Sequence, residues 1–461
     1  MILDVGKAFD YPTFEKLFDN SLYKIYYIGE SSFVEDMCKN IKSKNVDYIS
    51  YNDLYDYNVT DFESIRKHDL TEVLDFVVNN KLTTEIFDRT MSTYLFNYST
   101  KNDIWIVKAT ISAYKFVMNY NPAFMLLYEC SHNIRSWVIA QVCMFCGIPV
   151  RYCRNHVFMW RNVLLEGMQQ HPKLLGDESV NDNFSDWEYN MFKDIESRYG
   201  KGTDAILPEY LVKMKEMKSN KLYSFWKNFK FDWKRIDRVL YKHKCYKSYK
   251  SVCSEEIPQK YIVFYLHLQP ERTTLPEGYG FTQQYKAISI LNEIIPDDWK
   301  IVVKEHPATF YRYCSPSGRW PQYYKDMSDI KKVVLVPLET DTYQLMSGCQ
   351  AVSTIAGTVG REAMMMGKPC ITFGISPYFN VIPLGMYIYE SYESLKKFIY
   401  SMSELKPDSI KQSFADYVKN EMITTGVNGL EEGQQWKNQD NLVWECNRRG
   451  RFKLLNYILS K

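Results

Sequence analysis

The chain has 461 residues, 57 Lys and Arg against 55 Asp and Glu, a net charge of +2, and apolar and charged fractions of 46% and 24%. That length predicts two or three folded domains. The near-neutral balance excludes a chain-wide basic surface for nucleic acid. The opening Met-Ile-Leu-Asp-Val-Gly-Lys lacks a basic stretch followed by an apolar core, so no secretory signal is read there. No segment approaches the roughly 18 uncharged apolar residues of a membrane-spanning helix. The cysteines number 11, an odd count, and several lie inside apolar runs, as reduced core thiols do. These features together predict a cytoplasmic protein.

In chain order, Leu22–Ile28 reads as a strand, Gly29-Glu-Ser-Ser32 as a turn, Phe33–Ile41 as a helix and Val46–Ser50 as a second strand. The turn is not a GxGxxG fingerprint and identifies no ligand. Asp61 to Tyr120 reads as helices, with a strand at Ile104–Val107. Phe124–Tyr128 is a buried strand whose end carries Glu129, Cys130, Ser131 and His132. A helix over 134–146 and a strand at Val150–Cys153 complete a first α/β domain, residues 1–165. The spacing of Cys143, Cys146, Cys153 and His156 is that of some zinc sites. However, Cys143 and Cys146 lie within an apolar helical pattern rather than a polar turn, so no metal site is expected.

Residues 166–257 read as a helical insertion or bridge. Between Lys213 and Lys250 there are 13 Lys and Arg against three acids, with aromatics interleaved. The favoured reading is a solvated helical face whose aromatics anchor in the core. The functional alternative is a surface for an anionic membrane face or a lipid-linked acceptor.

Residues 258–385 read as a second α/β domain. Apolar runs at Tyr261–His267, Trp299–Val303, Val333–Pro337 and Ala351–Thr354 each end in polar residues or glycine before helical sequence. In such sheets, ligands bind beyond the carboxyl ends of the strands. After the first run come Gln269, Pro270, Glu271 and Arg272. Glu271 is a candidate base or nucleophile and Arg272 a candidate anion clamp. After the second run, Lys304 and Glu305 precede His306-Pro307, where an imidazole can donate to a phosphate or leaving group. After the fourth, Ser353, Thr354, Gly357 and Thr358 lead into a helix, a pattern that suits either an anion site or ordinary N-capping. Glu362, one turn on, could accept ribose hydroxyls or serve only as a first-turn acid. Residues 386–461 read as a helical tail that could cross back over the first domain.

Taken together, Leu-His-Leu-Gln269-Pro270-Glu271, Lys304-Glu305-His306-Pro307 and Ser353-Thr354-x2-Gly357-x4-Glu362-Ala-x3-Gly367-Lys368-Pro369 resemble the capsule polysaccharide synthesis proteins. That family includes retaining β-Kdo transferases with QP and HP motifs. The resemblance implies a GT-B-like α/β fold: two Rossmann-like domains facing across a cleft, with the helical insertion and C-terminal helices added. It implies transfer of a sugar, Kdo among the candidates, from a CMP-linked donor that is substrate rather than cofactor, to a glycan or lipid-linked acceptor. Glu271 and His306 become the expected catalytic residues. Gln269, Arg272, Lys304, Ser353, Thr354, Gly357, Thr358 and Glu362 become the expected donor-binding residues, and Glu129 and His132 fall on the acceptor side. The family's usual nucleophile is aspartate, so Glu271 departs from the pattern by one methylene. A related polyol-phosphate transferase using a CDP-glycerol-type donor, or a non-catalytic partner in polysaccharide assembly, are the alternatives. Peripheral contact with the inner membrane face is expected, and no nucleic acid.

Overall fold

The computed structural model describes residues 1–4, 11–56, 67–91, 100–127, 130–155, 161–167, 184–198, 233–269, 271–310, 318–374, 382–428 and 440–460. The chain divides into two compact units. The first is Met1–Trp187 with Pro377–Val381 and Val418–Lys461; the second is Glu188–Ser376 with Ile382–Tyr417. Residues 386–461, read from the sequence as a helical tail, are divided between the units at Val418.

In the first unit, strands β1 (Ile2–Asp4), β2 (Ile25–Gly29), β3 (Val46–Ser50), β4 (Met125–Leu127) and β5 (Val150–Asn155) are joined by β6 (Arg161–Leu165). The expected strands over 22–50 and 124–153 are present, but between β4 and β2 the sheet also holds β1, a strand not expected from the sequence. At three residues, β1 is too short to show a period. The sheet order, with β13 (Gly426–Asn428), is β13-β6-β5-β4-β1-β2-β3. Pairings from β5 through β3 are parallel; β6 and β13 join antiparallel.

The strand expected at Ile104–Val107 is instead part of the helix Thr100–Tyr120. Ile106, Ala109, Ala113 and Val117 recur at helical spacing and are all buried. A four-residue apolar run carries no period of its own, and the longer pattern decides. The C-terminal helix Asp440–Ser460 lays Leu454, Leu455 and Ile458 into this unit's core. Arg451 there donates to Asn162 Oδ1 and Asn155 Oδ1, each at 3.0 Å.

The second unit holds the sheet that organises the site. Its strands are β7 (Tyr261–Tyr265), β8 (Lys300–Lys304), β9 (Val333–Val336), β10 (Ala351–Thr354), β11 (Cys370–Thr372) and β12 (Met386–Ile388). The order is β12-β11-β10-β7-β8-β9, and every pairing is parallel. That is the doubly wound Rossmann order, with its reversal between β7 and β10. All five residues of β7 are buried, as a parallel strand covered on both faces requires. Each such Ile, Val or Phe contributes about 1.5–3 kcal/mol. The helix Gln284–Ile294 covers one face with Gln284, Ala287, Ile288, Leu291 and Ile294, again at helical spacing.

Of the basic, aromatic segment, residues 213–232 lie outside the described residues. The described part belongs to the helix Trp233–Val252. Lys244, Lys247 and Lys250 are exposed. Tyr246 and Tyr249 pack on Phe310, with ring centroids 5.2 and 5.6 Å away. Here Tyr246 and Tyr249 anchor in the core while Lys244, Lys247 and Lys250 face water; Lys242 is buried.

Candidate active site

The reversal between β7 and β10 opens a crevice at the carboxyl ends of two neighbouring strands, where parallel sheets bind ligands. Here that position is filled by an imidazole. His267, two residues past β7 and buried, places Nε2 2.9 Å from Thr354 Oγ1 at the end of β10. The Ala356 backbone N–H donates to the same nitrogen at 3.2 Å. Gln284 clasps the His267 backbone from the helix below, accepting from its N–H at 2.7 Å and donating to its carbonyl at 3.3 Å. Gly357 is needed for this closeness: a Cβ there would lie 2.8 Å from Thr354 Oγ1 and 3.2 Å from the ring.

The other edge of the ring leads to Glu271. Thr273 Oγ1 lies 3.1 Å from His267 Nδ1 and 3.1 Å from Glu271 Oε2. The direct Nδ1–Oε2 separation is 3.6 Å, beyond hydrogen-bond length. The Glu271 side chain is 37% exposed, so its carboxylate is open to a ligand. Burial alone would raise its pKa. The neighbouring His267, His306 and Thr273 outweigh burial and hold it below the usual glutamate value, so it is ionised at neutral pH.

β8 supplies the second histidine. The Ala308 N–H donates to His306 Nδ1 at 3.2 Å, which puts the neutral ring's proton on Nε2. Burial lowers this imidazole's pKa, against the pull of Glu271 and Glu305, and keeps it neutral near pH 7. The turn that carries it is built on a buried ion pair. Glu305 accepts from Arg319 Nε at 2.6 Å and Nη2 at 3.0 Å, from Tyr324 at 2.6 Å, from Thr309 at 3.0 Å and from the His306 N–H at 2.7 Å. Arg319 Nη2 also donates to the His267 carbonyl at 3.0 Å, tying the ends of β7 and β8 together. Tyr241, on the aromatic helix, donates to the Arg319 carbonyl at 2.9 Å.

Of the residues singled out in the sequence, Glu271, His306, Thr354 and Gly357 gather at these strand ends. Thr354 does so by holding His267. Lys304 is buried, its amine lowered to about 8 by burial and donating to the Leu338 carbonyl at 2.9 Å. Gln269 donates to Thr274 Oγ1 at 2.8 Å and packs on Gly318, whose φ of +72° a side chain would strain. Arg272 pairs with the buried Glu277 at 2.9 Å. Ser353 is fully buried within β10, and its hydroxyl has no hydrogen-bond partner among the described residues. Thr358 is exposed at the start of the helix Val359–Met365. Glu362 follows it, its carboxyl raised by burial against the pull of Arg361 and a hydrogen bond from Thr358.

In the first unit, Glu129 lies outside the described residues, and His132 Nδ1 is 3.1 Å from the Cys130 carbonyl. Among the described residues no cluster of three or more metal-ligating side chains occurs. Burial raises Cys146 to about 11 and Cys153 to about 12, so both remain thiols; His156 lies outside the described residues.

Sequence reasoning missed His267, Thr273 and Arg319. His267 had a signal: it is the first titratable residue after an unbroken apolar strand. Arg319 had none beyond the need of a buried Glu305 for a cation.

This arrangement defines the class: a doubly wound α/β unit with Glu271 and His267 at its switch point and His306 at the end of the adjacent β8, in a chain with a second Rossmann-like unit. Residues 237–386 match the family model described as capsule polysaccharide biosynthesis protein. No curated protein matches the chain. Among solved structures, the UDP-GlcNAc 2-epimerase of Methanocaldococcus jannaschii in complex with UDP-GlcNAc and UDP is 14% identical, covering 91% of this chain and 99% of its own, with a TM-score of 0.26. The β-Kdo 2,7 transferase KpsC of Thermosulfurimonas dismutans is 13% identical, covering 78% and 98%, with a TM-score of 0.31. The β-Kdo 2,4 transferase KpsC of the same organism is 13% identical, covering 73% and 87%, with a TM-score of 0.30. At these scores none of the three bears on the chemistry of this chain. No helix among the described residues is long and apolar enough to cross a membrane.

Proposed function

We propose that the protein is a glycosyltransferase of surface-polysaccharide biosynthesis. It would move a sugar, Kdo being the first candidate, from a CMP-activated donor to a glycan or lipid-linked acceptor. The observation that carries this reading is the meeting of Glu271 and His267 at the switch point of the second unit's sheet, with His306 at the end of the adjacent strand acting on Glu271. This cluster lies inside the stretch that matches the capsule family model.

The chemistry follows from the protonation states. Ionised Glu271 attacks the anomeric carbon as the bond to the CMP phosphate breaks. The neutral Nε2–H of His306 donates to a phosphate oxygen and stabilises the charge that gathers there. An acceptor hydroxyl then attacks the same carbon, its proton is lost to solvent or a base, and Glu271 leaves as carboxylate. Two displacements retain configuration, by the logic of retaining glycosidases. The low pKa of Glu271 suits both steps: it is charged when it attacks and a good leaving group afterwards. Donor contacts by Gln269, Arg272, Lys304, Ser353, Thr354, Gly357, Thr358 and Glu362 belong to this proposal, as does an acceptor-side role for Glu129 and His132. So does a cytoplasmic location, where activated nucleotides are made. The exposed Lys244, Lys247 and Lys250 support peripheral contact with an anionic membrane.

The test is a donor series of CMP-Kdo, CMP-sialic acid and CDP-glycerol, with products weighed by mass spectrometry. Release of free CMP together with a sugar-sized mass gain on the peptide holding Glu271 is the expected result. A phosphodiester product would sink it. CMP at about 100 times its dissociation constant should stabilise the fold by roughly 2.7 kcal/mol.

A further inference from the structure

We propose that His267 and Thr273 are positioning residues that aim Glu271 through a one-way hydrogen-bond chain beginning at the Ala356 backbone. The proposal rests on the reading that Glu271 meets the substrate. The direction of the chain follows from which groups can only donate. A backbone N–H has no acceptor role, so the Ala356 N–H at 3.2 Å requires a lone pair on His267 Nε2. The neutral ring's proton is then on Nδ1. Nδ1–H faces Thr273 Oγ1 at 3.1 Å and donates to it. Having accepted there, the Thr273 hydroxyl directs its own proton to Glu271 Oε2, also at 3.1 Å. The single Thr354 hydroxyl proton has two acceptors within reach, Nε2 at 2.9 Å and the Tyr265 carbonyl at 3.5 Å, and the shorter contact agrees with the tautomer that the Ala356 N–H sets.

Every bond in this chain points toward the carboxylate, so each polarises the next. Gln284 and Arg319 hold the His267 backbone, and Gly357 leaves just enough room for the ring, since a Cβ there would lie 3.2 Å from Cε1. The chain fixes Oε2 and leaves Oε1 without a hydrogen bond among the described residues, so Oε1 is the attacking oxygen. Among the described residues, His306 is the other titratable group that acts on Glu271; the Glu305–Arg319 pair stands behind His306, and Arg272, on the same loop as Glu271, is paired with Glu277.

The experiment compares wild type with Thr273→Val, which keeps shape and removes the relay, and Thr273→Ser, which keeps the relay. NMR of histidine labelled with nitrogen-15 reads the His267 tautomer; carbon-13 in the glutamate carboxyls reads the titration of Glu271. The expected results are an Nδ1–H tautomer in wild type and a higher Glu271 pKa in Thr273→Val, restored in Thr273→Ser. In turnover, Thr273→Val should lose about 10- to 100-fold in kcat, the cost of one hydrogen bond to a charged group, with the donor KM little changed. Its pH profile should lose rate at a higher pH on the acid side. An Nε2–H tautomer, an unmoved Glu271 titration or an unchanged kcat overturns the proposal. The two NMR results need no turnover. They therefore stand apart from Glu271→Gln, whose retained activity would instead sink the functional reading.

Discussion

Two carboxylates in the second unit, at the ends of neighbouring strands, have opposite surroundings. Glu305 is fully enclosed and accepts five hydrogen bonds, two of them from Arg319. Glu271 is 37% exposed and accepts one hydroxyl at hydrogen-bond distance. A carboxylate whose lone pairs are all engaged holds structure together and has nothing left for a substrate. One that is ionised, aimed from one side and open on the other can react. A motif shows the residue type in both cases; only the count of donors separates the brace from the reactive group.

The largest expected effect tests the brace. Arg319→Met strands the Glu305 charge in a dry interior and should cost about 3–5 kcal/mol, read by denaturant unfolding. If stability is unchanged, Glu305 is not the keystone of the turn. Next comes the open partner. Glu271→Gln should reduce kcat by about 10³-fold or more while leaving stability within about 0.5 kcal/mol. Equal losses of stability from the two substitutions would erase the contrast.

A pH titration sharpens it. Both Glu271 and His306 have folded pKa values below their ordinary ones. Between the folded and unfolded values the unfolded chain binds more protons, so stability rises with pH across that window. For His306 the stability is present above its ordinary value of 6.5 and is lost as pH falls below it. For Glu271 the loss begins below its ordinary value of 4.5. His306→Asn should therefore flatten the dependence of the melting temperature on pH just below 6.5, and leave the more acid part in place. The smallest effect is at Ser353. Its orphaned buried hydroxyl gains nothing for the fold, so Ser353→Ala should be neutral or slightly stabilising. If the donor KM rises clearly, Ser353 meets the donor after all.

The sheet of the second unit was readable because its inner strands are buried on both faces. Their unbroken apolar runs matched β7 through β10 almost residue for residue. The first unit was harder to read. Ile2–Asp4 is too short to carry a period, and Ile104–Val107 is an apolar run inside a helix. The same limit applied within the site. Strand ends identified Lys304, His306, Ser353 and Thr354 as residues of interest, but not which of them turn inward. Lys304 reaches a carbonyl, Thr354 reaches His267, and Ser353 has no hydrogen-bond partner among the described residues.

What the sequence determined by itself is the order of strands and polar ends, and with it the family resemblance, because hydrophobic periodicity and short motifs are local. What the tertiary structure decided is the sheet order, and so which ends meet. His267 stands 87 residues from Thr354, and the two meet because β7 and β10 pair. Pairing between distant strands depends on how whole faces pack, and no local stretch contains that information.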